Sequence, residues 1–265
     1  MIKQCAVIGK PIEHSLSPTI HQSFAEQTGI ALSYVKKTCE PDDFVTTVLG
    51  FFADGGFGMN VTLPFKQQAH GMATHLTDRA KLAGSVNTLY QDQYGSLCGD
   101  TTDGEGLIND LSNKDLELAH KNILIMGAGG AAHAIIPELL QAKAHLFLLN
   151  RTRNKAEQLV SDFAALGHIE LAKQQNYHLI INTLSEDGDV WLSNLGINDL
   201  TNSVVYDISY GARAEKFLKH CDQLNAQQCY DGLGMLVEQA ALSFNIWHDQ
   251  NPATQPVLEQ LREIT

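Results

Sequence analysis

No apolar run in the 265 residues reaches the roughly 18 that a membrane-spanning helix needs, so none is expected. Basic residues are scarce. The 18 Lys and Arg stand against 30 Asp and Glu, leaving a net charge of −12. That balance argues against nucleic acid or an anionic membrane as a partner. An anionic ligand would have to be held by local donors. There are only 5 cysteines, an odd number, scattered at Cys5, Cys39, Cys98, Cys221 and Cys229. No C-x-x-C or other metal spacing occurs, so no metal site is expected, and the thiols read as reduced ones in a cytoplasmic protein. Met1-Ile-Lys-Gln-Cys5 leads directly into a strand-like segment, with no signal-peptide pattern before it. No internal repeat, low-complexity tract or long linker breaks the chain. Hydrophobic and charged contents of 44% and 18% are those of a soluble globular protein, and the length suits one large domain or two ordinary ones.

The most informative stretch is Asn122-Ile-Leu-Ile-Met-Gly-Ala-Gly-Gly-Ala-Ala-His133. Ile123 to Met126 form a continuous apolar run, as a central parallel strand covered on both faces requires. Gly127, Gly129 and Ala132 then follow the spacing G-x-G-x-x-A. The first glycine permits the tight turn, the second lets the backbone approach a pyrophosphate, and the small third residue lets helix and strand pack closely. Backbone N–H groups at the helix start hold phosphate charge. A glycine turn alone is weak, but here Ala131 to Leu140 can continue as a helix, with Pro137 as a potential kink. A second apolar run, His145 to Leu149, completes a βαβ unit that binds a dinucleotide. After that run an NAD site usually has Asp or Glu to hold the ribose. This chain has Asn150-Arg-Thr-Arg-Asn-Lys155 instead, with three cations and no carboxylate. Arg151 can stack on adenine and pair with a 2′-phosphate, with Asn150 and Thr152 as hydrogen-bond partners. The pattern favours NADP over NAD.

Elsewhere the chain alternates strands and helices. Cys5 to Ile8 and Ser33 to Lys37 read as strands, and Asp42 to Ala53 as a helix. Ser17 before Pro18 reads as a helix N-cap, which places Ser15 and Ser17 beside a helix N-terminus. Read alone, capping is the simpler role for Ser17. Met59 to Leu63 reads as a strand that runs into Pro64-Phe-Lys66. Lys66 would sit past a strand's C-terminal end, where open α/β sheets bind ligands, although a surface lysine is the default reading. Leu76 to Ala83 reads as a helix and Ser85 to Tyr90 as a strand. A hairpin leads back through Ser96 to Gly99. Asp103 precedes a helix from about Gly106 to Leu111, so it too could be only a cap. Tyr177 to Thr183 and Ser203 to Tyr210 are further buried strands. Asp231-Gly-Leu-Gly-Met235 is a glycine turn before a helix to about His248, and Pro256 to Ile264 forms a last helix.

Several of these segments together resemble the signatures of the shikimate dehydrogenase family. They are His14-Ser-Leu-Ser-Pro18, Asn60-Val-Thr-Leu-Pro-Phe-Lys66, Gly84-Ser-Val-Asn-Thr88, Asp100-Thr-Thr-Asp-Gly104, Gly127-Ala-Gly-Gly-Ala131, Asn150-Arg-Thr152 and Asp231-Gly-Leu-Gly-Met235. They occur in the family's order over nearly the whole chain. The resemblance implies NADPH-dependent reduction of 3-dehydroshikimate to shikimate, for aromatic amino-acid biosynthesis. It implies Lys66 and Asp103 as the catalytic pair. The lysine would move the proton and steady the developing alkoxide, and the carboxylate would hold the ammonium and a substrate hydroxyl. Ser15 and Ser17 match residues that bind the shikimate carboxylate. Thr62, Asn87, Tyr210 and Gln239 match further substrate contacts. Gly127, Ala128, Gly129, Gly130 and Ala131 match the pyrophosphate turn, and Asn150, Arg151, Thr152, Arg153, Asn154 and Lys155 the 2′-phosphate loop. Ile208 and Gly232 match positions near the nicotinamide, and Asp78 an acidic position near the cofactor.

The implied fold is α/β: an N-terminal α/β substrate domain plus a Rossmann-type NADP-binding domain, with C-terminal helices returning to the first domain. The substrate domain would be residues 1–101 and 236–265, the NADP domain residues 102–235, with shikimate in a cleft between them. The chain departs from the family pattern at Asp100-Thr-Thr-Asp, where D-N-T-D is usual. It departs again at Asn182-Thr-Leu-Ser-Glu-Asp-Gly188, where Glu186 and Asp187 add charge that can weaken NADP binding. Gly-Ala-Arg-Ala follows Tyr210 in place of a longer turn. Three alternatives share the plan. A quinate/shikimate dehydrogenase would use NAD, against the Arg151 loop. A methylenetetrahydrofolate dehydrogenase-type enzyme fits poorly with Ser15, Ser17, Asn87 and Asp103. A non-catalytic metabolite sensor would tend to have lost the Lys66–Asp103 pair. Expected partners are the small-molecule substrate alone, with no nucleic acid and no membrane, in a monomer or homodimer.

Overall fold

The computed structural model describes residues 2–184 and 188–265. The chain begins with β1 (Lys3–Ile8), α1 (Ser17–Thr28), β2 (Leu32–Lys37), α2 (Phe44–Ala53), β3 (Gly58–Val61), α3 (Lys66–Met72), β4 (His75–Leu76), α4 (Asp78–Ala83), β5 (Thr88–Gln91), β6 (Leu97–Asp100) and α5 (Asp103–Ser112). It continues with β7 (Asn122–Met126), α6 (Gly130–Gln141), β8 (His145–Leu149), α7 (Arg153–Phe163), β9 (Ile169–Leu171), β10 (Leu179–Asn182), α8 (Gly188–Asn194), β11 (Val204–Asp207), α9 (Ala212–Gln223), β12 (Gln228–Asp231), α10 (Leu233–His248) and α11 (Gln255–Arg262). These elements form two compact units. One comprises Met1–Gly106 and Val237–Ile264, the other Leu107–Leu236 with Thr265. The α/β architecture and the return of the C-terminal helices to the first unit are as the sequence implied.

The first unit holds a mixed sheet in the order β2-β1-β3-β5-β6-β4. β1 runs parallel to β2 and β3, and β5 runs antiparallel to β3 and β6. The C-terminal ends of β1, β3 and β6 therefore meet the start of β5 along one edge. Ala6, Ile8, Phe44, Val48, Met59, Val61, Phe65 and Leu89 pack into one core, each large side chain contributing about 1.5–3 kcal/mol through burial. Helix α1 begins one residue earlier than the sequence suggested. Leu16 takes the αR conformation at the N-cap, and Ser17 is already helical, without a side-chain capping bond. Proline is tolerated there because no intrahelical N–H is needed in the first turn.

The second unit is an all-parallel sheet in the order β12-β11-β10-β7-β8-β9. Read from the other edge, the chain order is third, second, first, fourth, fifth, sixth, the Rossmann arrangement, with the first strand at the switch point. β7 is that strand. Its Ile123, Leu124, Ile125 and Met126 are fully buried, one alternate pair in each of two cores on opposite faces. β9 and β12 carry no clear pattern because they are short, partly exposed edge strands. Helix α10 begins at Leu233, so Gly234 is helical rather than part of the turn. Among the described residues, no helix is long and apolar enough to cross a membrane.

Candidate active site

In the first unit β3 ends at Val61, and the chain turns through Thr62-Leu-Pro-Phe65. Phe65 is fully buried and stacked on Phe44, with ring centroids 4.8 Å apart. That anchor delivers Lys66 as the first residue of α3. Val86 N–H donates to the Lys66 carbonyl at 3.0 Å, tying this turn to the approach of β5. Lys66 Nζ lies 2.6 Å from Asp103 Oδ2, and the two side chains are 18% and 9% exposed. An ion pair so poorly solvated is screened far less than one on the surface.

Asp103 opens α5, and its side chain turns to other partners than the helix end. Its Oδ1 accepts from Asn87 Nδ2 at 3.0 Å. Asn87 Oδ1 accepts from Thr102 N–H at 3.0 Å and from Thr88 Oγ1 at 2.8 Å. Its Nδ2 also reaches Thr102 Oγ1 at 2.9 Å and Gln239 Oε1 at 3.2 Å. Every acceptor therefore lies on one side of the amide and every donor on the other, which fixes its orientation. Gln239 is carried on α10, and its carbonyl accepts from Thr102 Oγ1 at 2.9 Å. A Cβ on Gly106 would lie 2.7 Å from the Cβ and N of Gln239, so the two backbones approach closely there.

Behind this cluster is a second polar layer that the sequence reading missed. Ser243 Oγ receives Asn60 Nδ2 at 3.0 Å and lies 2.7 Å from Thr88 Oγ1 and 3.2 Å from Thr102 Oγ1. Asn60 Oδ1 accepts from Tyr34 OH at 2.7 Å. Ser243 follows Gln239 by one helical turn, with its Oγ donating to the Gln239 carbonyl at 3.1 Å. That spacing was the available signal, since residues a turn apart share a helix face.

The other candidates are placed separately. Ser15 Oγ lies 3.2 Å from Ser17 Oγ and accepts the Ser17 N–H at 3.3 Å. Because Leu16 is the N-cap, both hydroxyls stand at the start of α1 without serving as its caps. Thr62 is held by its backbone, which donates to the Ile8 carbonyl at 2.9 Å. Ser15, Ser17, Thr62, Lys66 and Asp103 follow the C-terminal ends of β1, β3 and β6, and Asn87 precedes the start of β5, on the one sheet edge described above. Asp78 is not part of the Lys66 cluster. It starts α4, with a solvent-exposed side chain 3.0 Å from Lys81 Nζ. Tyr210 is in the second unit, just past β11, and burial raises its hydroxyl pKa.

In the second unit the cofactor candidates all follow strand C-terminal ends, on the side where parallel α/β sheets bind ligands. Gly127 follows β7 with φ +117°, and a Cβ there would meet Thr183 Oγ1 at 2.2 Å. No other residue fits that turn. At Gly129 and Gly130 a Cβ would meet nothing within 4 Å. Their backbone therefore faces open space at the N-terminus of α6, as a pyrophosphate cradle needs. Ala128 is half-buried between Gly127 and Gly129, and Ala131 and Ala132 enter the helix, Ala132 fully buried. Past β8, Asn150 Nδ2 donates to the Thr152 carbonyl at 2.9 Å and shapes the loop. Arg151 is exposed, with no ion-pair partner among the described residues. Arg153 is paired with Glu157 at 2.7 Å, and Asn154 and Lys155 are exposed in the first turn of α7. Past β11 and β12, Ile208 and Gly232 are in backbone contact, for a Cβ on Gly232 would lie 2.2 Å from the Ile208 carbonyl oxygen. Nearby, Asp207 accepts from Asn182 at 2.8 Å, and burial raises its pKa. The Glu186 and Asp187 departure lies outside the described residues. The residues present fit a dinucleotide phosphate cofactor. Among the described residues, no group of His, Cys, Asp and Glu could hold a metal ion.

Comparison with known proteins agrees along the chain. The family described as "Shikimate dehydrogenase substrate binding domain" matches residues 7–89. "Shikimate / quinate 5-dehydrogenase" matches residues 110–186, and "Shikimate 5'-dehydrogenase C-terminal domain" residues 232–262. The chain is 43% identical to a protein of Cellvibrio japonicus named shikimate dehydrogenase (NADP(+)), covering 97% of this chain and 96% of that one. It is 44% identical to the protein of that name from Vibrio campbellii, covering 99% and 97%. Among solved structures it is similar to an Ael1 enzyme from Pseudomonas putida, with a TM-score of 0.89 at 34% identity and 98% coverage of each chain.

Proposed function

The chain belongs to the shikimate dehydrogenase family, and from that premise we propose that it catalyses the reversible NADPH-dependent reduction of 3-dehydroshikimate to shikimate. The observation that carries this reading is the Lys66 Nζ–Asp103 Oδ2 contact of 2.6 Å, set beside Asn87 at the sheet edge. The first unit would take the substrate and the second NADP.

When bound, the nicotinamide supplies the hydride. Lys66, oriented by its contact with Asp103, donates a proton to the carbonyl oxygen as charge develops there, and recovers it in the reverse direction. Asp103 and Asn87 accept from and donate to ring hydroxyls, assisted by Gln239, Thr62 and Tyr210. Ser15 and Ser17 donate to the substrate carboxylate. Gly127 to Ala131 hold the pyrophosphate by backbone N–H groups. Arg151 pairs with the 2′-phosphate, helped by Asn150, Thr152, Arg153, Asn154 and Lys155. Ile208 and Gly232 line the nicotinamide position. Asp78 has the weakest support, since its charge already pairs with Lys81. The product is a precursor in aromatic amino-acid synthesis. Five unpaired thiols support a reducing compartment, which we take to be the cytoplasm, with the enzyme as a monomer or homodimer.

NADPH formation from NADP and shikimate, in wild type and Lys66→Ala, tests this reading. Rapid turnover that collapses in the variant supports it. Turnover mainly with quinate and NAD would move the chain to the other activity that the family description names. Tight shikimate binding without turnover would remove the enzyme reading.

A further inference from the structure

One guanidinium ties down both flanks of Asp103. Arg79, in the first turn of α4, forks onto Asp100, with Nε 2.7 Å from Oδ1 and Nη2 2.8 Å from Oδ2. Its third nitrogen, Nη1, pairs with Glu105. Asp100 ends β6 and Glu105 lies in the first turn of α5, so Asp103 sits between the two clamped carboxylates. Asp100 is 4% exposed. Its Oδ1 also accepts from Thr77 Oγ1 at 2.6 Å and Thr101 N–H at 2.7 Å.

We propose that Arg79 is a positioning residue for the reaction, holding the Asp100–Glu105 turn so that the Asp103 carboxylate faces Lys66 and the substrate hydroxyl together. The proposal rests on the role given to Asp103 above. The clamped segment also carries the contacts that orient Asn87. Asn87 N–H donates to the Asp100 carbonyl at 3.0 Å, and Thr102 N–H donates to Asn87 Oδ1 at 3.0 Å. A shift of Asp100 therefore moves Asn87 and Asp103 relative to the Lys66 side chain, whose turn is anchored by buried Phe65 as well as by Val86. Only a guanidinium supplies three nitrogens in one plane to two carboxylates; an ammonium cannot make the fork. The hydrogen bond to Asp100 raises the Arg79 pKa, against the effect of burial, so the clamp stays charged.

The test uses the full chain and Arg79→Lys, which keeps the charge and loses the fork. The expected result is a fall in kcat of about tenfold or more, as for an ångström-scale displacement near the chemistry, with KM for NADP unchanged. In the reductive direction, NADPH deuterated at the transferred hydrogen should give a larger isotope effect on kcat than in wild type, because the chemical step has become limiting. A stabilising pair with no positioning role would lower the melting temperature and leave kcat and the isotope effect alone, and that result would overturn the proposal. If Arg79→Lys does not fold, Glu105→Ala decides. It removes one arm of the clamp, and should lower kcat roughly threefold with the same change in isotope effect; wild-type values there would equally overturn the proposal. A wild-type protein inactive on shikimate would remove the functional reading and this proposal with it, and is recognised because it needs no variant.

Discussion

Asn87 Nδ2 donates to Asp103 Oδ1 at 3.0 Å while Lys66 Nζ holds Oδ2 at 2.6 Å, so the two oxygens of one carboxylate have separate partners. Both partners are donors. Asp103→Asn preserves the shape but must turn an NH2 toward one of them. We expect kcat with shikimate to fall by about 10²–10⁴-fold, the range for losing a positioned acid–base group. The dissociation constant for NADP should stay near the wild-type value. Steady-state kinetics together with a cofactor titration check this, and a variant that keeps a tenth of wild-type kcat would show that Asp103 is dispensable.

Arg151 and Arg153 differ in what they have to spare. Arg153 is engaged with Glu157 at 2.7 Å, whereas Arg151 has no ion-pair partner among the described residues. Arg151→Ser should weaken NADP binding by about 10–100-fold, equivalent to one lost charge-assisted hydrogen bond of about 1.5–3 kcal/mol. NAD binding should hardly change. Arg153→Ser should have the smaller effect on NADP. Equal losses for NADP and NAD in Arg151→Ser would mean that the residue does not read the 2′-phosphate.

The parts of the fold legible in the sequence are those where one local rule suffices. β7, α6 and β8 could be read directly because a doubly covered parallel strand must be apolar throughout and a tight turn needs glycine. β9 and β12 escaped because edge strands are half-exposed and carry no period. The cap rule misplaced Ser17, since Leu16 in αR lets the helix start before the favoured capping residue. In the candidate site, Lys66 and Asp103 stood out only through a resemblance, because a lysine after a proline and an aspartate before a helix each have ordinary explanations. Ser243, Asn60 and Arg79 were invisible for a different reason. Ser243 meets Thr88 across 155 positions of chain and Asn60 across 183, and nothing local to a serine says which strand it will face.

Gly106 offers a check on the packing beneath Gln239. A Cβ there would lie 2.7 Å from the Gln239 backbone N and Cβ, too close for either to yield without moving a helix. Gly106→Ala should destabilise the protein by about 1–3 kcal/mol, the usual cost of overpacking. It should also raise KM for shikimate, because Gln239 is pushed from Asn87. Urea unfolding and kinetics read the two effects. A variant with unchanged stability and KM would mean that α5 and α10 are packed more loosely than described.

His21 makes stability depend on pH. It is fully buried, stacked on Tyr34 at 4.4 Å and near Trp247 at 5.3 Å. Burial, helped by His248, lowers its pKa from 6.5 to about 3 in the folded protein, with Asn60 opposing. Between those values the unfolded chain binds a proton that the folded chain does not. Stability must then fall as pH drops below about 6.5, by about 1.4 kcal/mol per pH unit from this one group. His248, also lowered by burial, to about 4, adds to the same trend. Above pH 6.5 the histidine is neutral in both states and contributes no slope. His21→Phe keeps a ring in the aromatic cluster and removes the titrating group, so its urea-derived stability should decline less steeply between pH 6.5 and pH 4 than that of wild type. Parallel stability curves for the two proteins would mean that His21 is protonated as readily when folded as when unfolded, and that the acid sensitivity arises elsewhere.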